Sequence, residues 1–268
     1  MNKTVSVIMG VYNCEDTLAE ALECIVKQSY AQWEIIMCDD GSQDNTVGIA
    51  REYVKRYPNQ IKLLYNEHNM GLNYTLNRCL AETCGIYIAR MDGDDRCSPN
   101  RLEKEVAVLE QHPNIQIVST EMEMFDQNGV WGRTHAIEFP QERDLLKGPP
   151  FCHAACMVRK EAFEAVEGYS VEERLLRVED YHLWVKMYER GYRGMNILEP
   201  LYSMRDDRSA TQRRKFKYRL NSAYVKAYAV KHLNLPLYGY IYCLKPILIG
   251  LMPQWLYKCM HRICNSKE

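Results

Sequence analysis

The eleven cysteines form no CxxC pair and are scattered through apolar runs, which argues against a zinc ribbon or disulfide scaffold and for a reducing compartment. Neither GxGxxG nor GxxxxGK[ST] occurs, so the dinucleotide fingerprint and the phosphate loop of NTPases are absent. No apolar stretch reaches the roughly 20 uninterrupted residues of a spanning helix. Met1-Asn2-Lys3-Thr4 leads into a strand-like segment without the apolar region of a signal peptide, so we expect a cytoplasmic body. Net charge is also missing, at −1. What is present is apolar material, 47% of 268 residues against 26% charged, enough for a sizeable globular core and too much for a disordered chain.

The near-zero charge is a cancellation. From Arg213 to the end there are eleven Lys or Arg and one acid, a balance of +10 that leaves −11 on the remainder. A basic tail on an acidic body points to a polyanionic surface, membrane or nucleic acid. Within the tail, Leu235 to Tyr257 is almost uncharged but interrupted by Pro236, Pro246, Pro253 and Lys245, with Tyr238, Tyr240, Tyr242, Trp255 and Tyr257 as amphipathic rings. This composition reads as broken interfacial helices on anionic lipid. Ile247 to Met252 is too apolar for a surface that tracks phosphates, so a nucleic-acid partner is the weaker reading.

Along the body, short β-branched runs alternate with helical periods. Val5 to Val11 (VSVIMGV) reads as a strand buried on both faces, Leu18, Leu22, Ile25 and Val26 recur at helical spacing, and Glu34 to Cys38 (EIIMC) reads as a second strand. A helix over 45–57, a strand Ile61 to Tyr65, a helix ending at Glu82 and a strand Ile86 to Met91 continue the series. Such alternation predicts an α/β fold with a doubly wound, mostly parallel sheet whose ligands sit beyond the carboxyl ends of the strands. After a helix over 98–111 and a strand over 116–120 the signals are mixed, with an Asn128-Gly129 hairpin turn and a Pro149-Pro150 break. A further helix is predicted over 178–189, where Tyr181, Trp184, Val185 and Tyr188 share one face.

Two of the strands end in acid-rich turns, Asp39-Asp40-Gly41-Ser42-Gln43-Asp44 and Asp92-Gly93-Asp94-Asp95. Carboxylates converging on one crevice repel unless a cation or hydrogen-bond donors compensate, and a hard divalent metal carrying phosphates compensates economically. Gly93 lets backbone approach a ligand closely. Each turn also suits a capping role, since Asp95, Ser98 and Pro99 fit a helix start. Glu179-Asp180 is open in the same way, as a macrodipole-matched helix start or as an acid–base pair.

In their order and spacing, VSVIMGVYN (Val5 to Asn13), CDDGSQDNT (Cys38 to Thr46), NMGLNYTLN (Asn69 to Asn77), GIYIARMDGDD (Gly85 to Asp95) and VEDYHLW (Val178 to Trp184) resemble the family 2 glycosyltransferases with the GT-A fold. IARMDGDD followed by PNRLEKEV is similar to the bacterial enzymes that assemble O-antigen, capsule and exopolysaccharide repeat units. The resemblance implies a body over 1–212, with a nucleotide-sugar-binding half (1–97) and an acceptor-side half (98–212), followed by a basic helical tail over 213–268. It implies an inverting enzyme that moves a hexose or N-acetylhexosamine from a UDP-sugar to a polyprenyl-diphosphate-linked glycan, with Mn²⁺ or Mg²⁺, at the inner face of the cell membrane.

Carried over residue by residue, Val11, Tyr12 and Asp40 match positions around the uracil and its ribose. Asp92 and Asp94, with Gly93 between them, match the DxD motif that meets the ribose and the metal-bridged diphosphate. Asp180 matches the catalytic base, with Glu179 as the neighbour that tunes it. His153 falls in a segment that resembles the acceptor-side strand, where a sugar contact and a structural His are both open. Two departures stand out. Leu76 occupies a position where many members carry an Arg, so the phosphate-contacting cation comes from elsewhere or is absent, and Asp207 stands where the family's Arg-x-His-x-x-Ser stretch has its His. Asp207 can ligate a hard metal but cannot donate to phosphate while ionised. Two other functions fit parts of the pattern: a sugar-1-phosphate nucleotidyltransferase, which lacks here its Gly-rich basic loop after the first strand, and a membrane-bound sugar-nucleotide sensor without turnover, against which Asp180 argues.

Overall fold

The computed structural model describes residues 4–206 and 215–251. Strand β1 (Val5–Val11) is apolar on both sides and lies between β2 (Trp33–Asp39) and β4 (Tyr87–Arg90), with β3 (Ile61–Tyr65) outside β2; all three pairings are parallel. Parallel neighbours need crossovers, which α1 (Leu18–Val26), α2 (Thr46–Arg56) and α3 (Leu72–Ala81) supply. The alternation of β1 splits the core: Val5, Val7, Met9 and Val11 pack with Leu18, Leu22 and Tyr53 on one face, and Ile8 packs with Leu76 and Cys79 on the other.

Beyond β4 the sheet changes character. It continues through β8 (Cys156–Arg159), β6 (Ile117–Asp126), β9 (Gly194–Arg205) and the short β5 (Arg96–Cys97), with β7 (Gly129–Arg133) hairpinned onto β6. Here β4–β8, β8–β6, β6–β7 and β5–β9 are antiparallel and only β6–β9 is parallel. The mostly parallel sheet expected from the sequence therefore holds over β3-β2-β1-β4, and the remainder is mixed. No helix crosses between β6 and β8, so the chain can only return antiparallel.

Helix α4 (Arg101–Gln111) covers one face of the sheet, and α5 (Lys160–Ala165) and α6 (Glu179–Glu189) cover the other. Helix α7 (Phe216–His232) buries Val225 and Ala229 in the same core as α6, and Lys226 Nζ donates to Leu146 O at 2.6 Å. A short 3₁₀ segment (Leu237–Cys243) and α8 (Leu244–Leu251) follow.

Candidate active site

The carboxyl ends of β1, β2 and β4 meet at one edge. Val11 is level with Asp39, and Ile8 with Arg90, so the turn after Arg90 rises beside Val11. The first acidic turn divides its work. Asp39 Oδ2 accepts from the backbone N–H groups of Gly41 and Ser42, both at 3.1 Å, and so closes the turn. Gly41, at φ +79°, passes so near His68 that a Cβ would lie 2.9 Å from its backbone. Asp40 faces inward: its Oδ1 accepts from Asn66 Nδ2 (2.7 Å) and Met70 N (2.8 Å), and its Oδ2 from Gly71 N (3.0 Å). Asp39 thus fills the turn-closing role open in the sequence. Asp40, Val11 and Tyr12 line a cavity of about 330 Å³ together with Gly10, Leu176, Arg177 and Glu179.

The second acidic turn is built by groups distant in sequence. Arg90 is buried, with Nη1 2.7 Å from Asp92 Oδ1. Its carbonyl accepts from Arg101 Nη2 at 2.9 Å, and Arg101 is fully buried with its i+4 partner Glu105 (3.0 Å). Asp95 is a structural acid: Oδ2 accepts from Tyr202 O–H (2.9 Å) and Oδ1 from Arg205 N (2.7 Å). The same Tyr202 oxygen accepts from Asp92 N at 3.1 Å. Arg205 Nε donates to Asp94 O at 3.0 Å. Gly93 sits where a Cβ would meet Cys14 Sγ at 3.0 Å and Val11 Cγ1 at 3.2 Å, so its lack of a side chain lets the turn close on β1. Asp94 is left with its carboxylate exposed and in no ion pair among the described residues.

This turn fits a hard divalent cation by its own chemistry. Burial, and next the charge of Asp92, push the Asp94 carboxyl above the usual range, and a cation held beside it would favour its ionised form. Among the described residues no third acid, His or Cys joins the two carboxylates. Asp207, expected as a third ligand, lies outside the described residues.

Asp180 opens α6. Its Oδ1 accepts from the N–H of Tyr181 at 2.7 Å, so the helix-start reading holds for it as well. The side chain is half-buried. Burial, and next the charge of Glu179, raise its carboxyl to about 7. Glu179 lines the cavity of Tyr12 and Asp40, and Asp180 follows it in the first turn of α6. His153 is near: its ring meets Trp184, one turn along α6 from Asp180, at 6.1 Å edge to face, and its Nε2 is 2.7 Å from Tyr169 Oη. Burial, and then Arg90, hold His153 well below its ordinary value, so it is neutral.

The structure thus gathers Val11, Tyr12, Asp40 and Glu179 at one cavity and Asp92 and Asp94 on one turn, with Asp180 and His153 on the flanking wall. Leu76 is buried core and supplies no cation. Arg78, two residues on, is occupied by Asn66 Oδ1 at 2.7 Å. Sequence reasoning gave no role to Arg90, Tyr202 and Arg205, which shape the DxD turn, or to Arg177 at the cavity rim. Only Arg101–Glu105 carried a usable signal, an i,i+4 pair set among Leu102, Val106 and Leu109.

Comparison with known proteins agrees with this geometry. Residues 6–167 match the model of glycosyl transferase family 2, and residues 87–260 that of glycosyl transferase family group 2. The chain is 46% identical over 266 residues to EpsE of Bacillus subtilis (strain 168), covering 98% of this chain and 96% of EpsE. It is 31% identical over 183 residues to the Escherichia coli UDP-Glc:alpha-D-GlcNAc-diphosphoundecaprenol beta-1,3-glucosyltransferase WfgD, covering 68% of this chain and 69% of that one. Its fold superposes on S. aureus TarS 1-349 in complex with UDP-GlcNAc with a TM-score of 0.68 at 18% identity, over 92% of this chain and 71% of TarS 1-349. With the parallel half, the mixed half and the acid-lined edge between them accounted for, the chain belongs to glycosyl transferase family 2 and has the GT-A fold.

Proposed function

We propose that this glycosyltransferase moves a hexose or N-acetylhexosamine from a UDP-sugar to a polyprenyl-diphosphate-linked glycan in surface polysaccharide synthesis, with inversion at the anomeric carbon. The observation that carries the reading is the continuity of Asp40, Tyr12 and Glu179 in one cavity with Asp180 beside Glu179. Asp40 Oδ2 accepts a single backbone bond and keeps a lone pair for the N3–H of uracil. Val11 and Tyr12 flank the base. Asp92 and Asp94 would hold Mn²⁺ or Mg²⁺, which supplies Lewis-acid neutralisation of the leaving diphosphate when bound. Arg177, exposed at the cavity rim, offers a cation to the phosphates that Leu76 does not. Asp180 takes the proton from the acceptor hydroxyl, for which a carboxyl raised to about 7 is well matched. A single displacement by that hydroxyl inverts the anomeric centre. WfgD, by its name, uses a UDP-sugar and a diphosphoundecaprenol acceptor, which supports the same pair of substrates here and a place on the cytoplasmic face of the cell membrane.

The test is a thermal-shift series with UDP-glucose, UDP-galactose and UDP-N-acetylglucosamine in the presence of Mn²⁺, followed by transfer to a synthetic lipid-diphosphate sugar. A donor that binds the native state raises the melting temperature, and the product should carry the anomer opposite to the donor's. Retention of configuration, or indifference to all three donors, overturns the reading.

A further inference from the structure

Among the described residues, the last helical segments expose an apolar face. After α7 the chain turns back on itself: a Cβ on Gly239 would come 2.9 Å from Val230 near the end of α7, and one on Gly250 would come 2.8 Å from Phe216 at its start. The Leu237–Cys243 segment and α8 therefore run antiparallel along α7. Leu237, Ile241, Leu248 and Leu251 are 81, 67, 61 and 69% exposed on this hairpin. Exposed Phe216 and Leu220 extend the face to the start of α7. There Asn221 Nδ2 donates to Leu176 O at 3.0 Å, and Lys217 pairs with Glu173. Leu176, itself exposed, lines the donor cavity beside Arg177 and Glu179. The apolar face ends at the rim of the reaction cleft.

Charge indicates what covers it. Residues 215–251 contain six Lys or Arg and no Asp or Glu. Lys215, Lys217, Lys231 and Lys245 are exposed. A second copy seated on this face would set basic surface against basic surface. An anionic bilayer matches both components, since apolar side chains enter the acyl boundary while lysines meet the headgroups. Among the described residues no helix is long and apolar enough to cross a membrane, so the face suits lying in the interface.

We propose that the face running from Phe216 and Leu220 through Leu237, Ile241, Leu248 and Leu251 docks the enzyme in the surface of an anionic lipid bilayer, with the mouth of the reaction cleft at the membrane plane. The position of the cleft rests on the lipid-linked acceptor proposed above; the docking does not.

The full chain is sedimented with vesicles of phosphatidylcholine alone and with vesicles containing phosphatidylglycerol, at low and high salt. It should bind the anionic vesicles more strongly, and salt should weaken that binding without abolishing it, because apolar burial is not screened. Ile241→Glu with Leu248→Glu should lower vesicle binding by about tenfold or more. The double variant should keep its melting temperature and its hydrolysis of the donor. Its transfer to a long-chain acceptor in vesicles should fall by a similar factor, with transfer to a short-chain soluble analogue unchanged. Failure of the unmodified chain to bind either vesicle, or equal binding by the double variant, overturns the proposal. So does a solution dimer that the double variant dissociates, which would make the face a self-interface. Vesicle binding that is lost in the double variant, in a protein inactive on both acceptors, would sink the acceptor reading and leave the docking in place.

Discussion

The two halves of the sheet hold their acids by different means. Asp40, at the parallel half's edge, is fixed by Asn66, Met70 and Gly71, between 26 and 31 residues away, two of them through backbone amides. On the turn joining the halves, the Asp92 backbone N–H donates to the Tyr202 hydroxyl, and the Asp95 carboxylate accepts from that hydroxyl and from Arg205 N, 107 to 110 residues away. Capture by backbone amides tolerates changes in side chains, because the donors belong to the chain itself. The one buried hydroxyl of Tyr202, which serves Asp92 N and Asp95 together, does not, since losing it leaves both short of a partner. Substitutions should therefore separate the halves: the donor side should respond in binding, and the wall of α6 in turnover.

The largest effect is expected on that wall. Asp180→Asn keeps the shape and the bond to Tyr181 N but cannot take a proton, so turnover should fall about 10²- to 10⁴-fold while the UDP-sugar still raises the melting temperature. A base with a carboxyl at about 7 is active only when ionised, so kcat/KM for the acceptor should fall as pH drops through about 7. Stability should move the other way. The native state raises this pKa above its unfolded value, so the acid costs stability increasingly as pH rises from the ordinary carboxylate range to about 7. Asn removes that cost, and the variant should melt above the unmodified protein by a margin that grows between pH 5 and pH 8. A variant with full turnover would remove Asp180 from the chemistry. Asp94→Ala supplies the contrast from the donor side: metal-dependent UDP binding should disappear along with turnover. Full activity in excess EDTA would contradict the metal assignment.

Next in size is the buried pair under the DxD turn. Arg101→Met strands Glu105 in the core and should cost about 3 to 5 kcal/mol, measured by urea denaturation. Glu105 is already raised to about 7, chiefly by burial, so without Arg101 it escapes the penalty by binding a proton. The loss should therefore be smaller at pH 5.5 than at pH 8. Adding Glu105→Leu should recover most of it. Equal losses at both pH values would show that Arg101 acts through packing and its bonds to the Arg90 and Cys156 carbonyls rather than through charge.

How far the sequence carries each half follows from the same contrast. Strands β1 to β4 are legible to within a residue or two, because each is a short run dominated by apolar residues between polar turns. The places of Asp40 and Asp94 in turns after β2 and β4, and of Asp180 at the start of α6, are legible because local motifs carry them. Strand β6 is expected to stop at Thr120 yet runs to Asp126, because Glu121 and Glu123 break its apolar pattern while Glu121 is buried against Arg133 at 2.7 Å. Strand β9 contains Glu199-Pro200, and its register against β6 slips on either side of Glu121, so no alternation announces it. Tyr202 and Arg205 ride on that strand, and their partners lie on the turn leading into its neighbour β5, 107 to 111 residues earlier. Nothing local in the sequence records a contact of that kind.

Tyr202→Phe isolates that long-range contact with the smallest change. Its hydroxyl donates to Asp95 and accepts from Asp92 N, and the residue is fully buried, so the ring remains while both partners lose a bond. Leaving buried groups short of partners costs about 1 to 3 kcal/mol, and Asp95 still accepts from Arg205 N at 2.7 Å, which places the effect toward the lower end. Asp95 already sits at about 7, raised by burial first and then by Asp92 and Asp94; Tyr202 is one of the groups that lower it. Without the hydroxyl it should hold its proton to higher pH, so the stability lost by the variant should be smaller at pH 5.5 than at pH 8. The turn bearing Asp92 and Asp94 loses one of its anchors to β9 and keeps those to Arg205, so the metal-dependent affinity for the donor should weaken severalfold while the groups on α6 are untouched. The expected signature is a raised KM for the UDP-sugar with kcat changed little. A fall in kcat at unchanged KM would mean that the mixed half tunes the chemical step through this tyrosine, and the division between a binding half and a turnover wall would have to be abandoned.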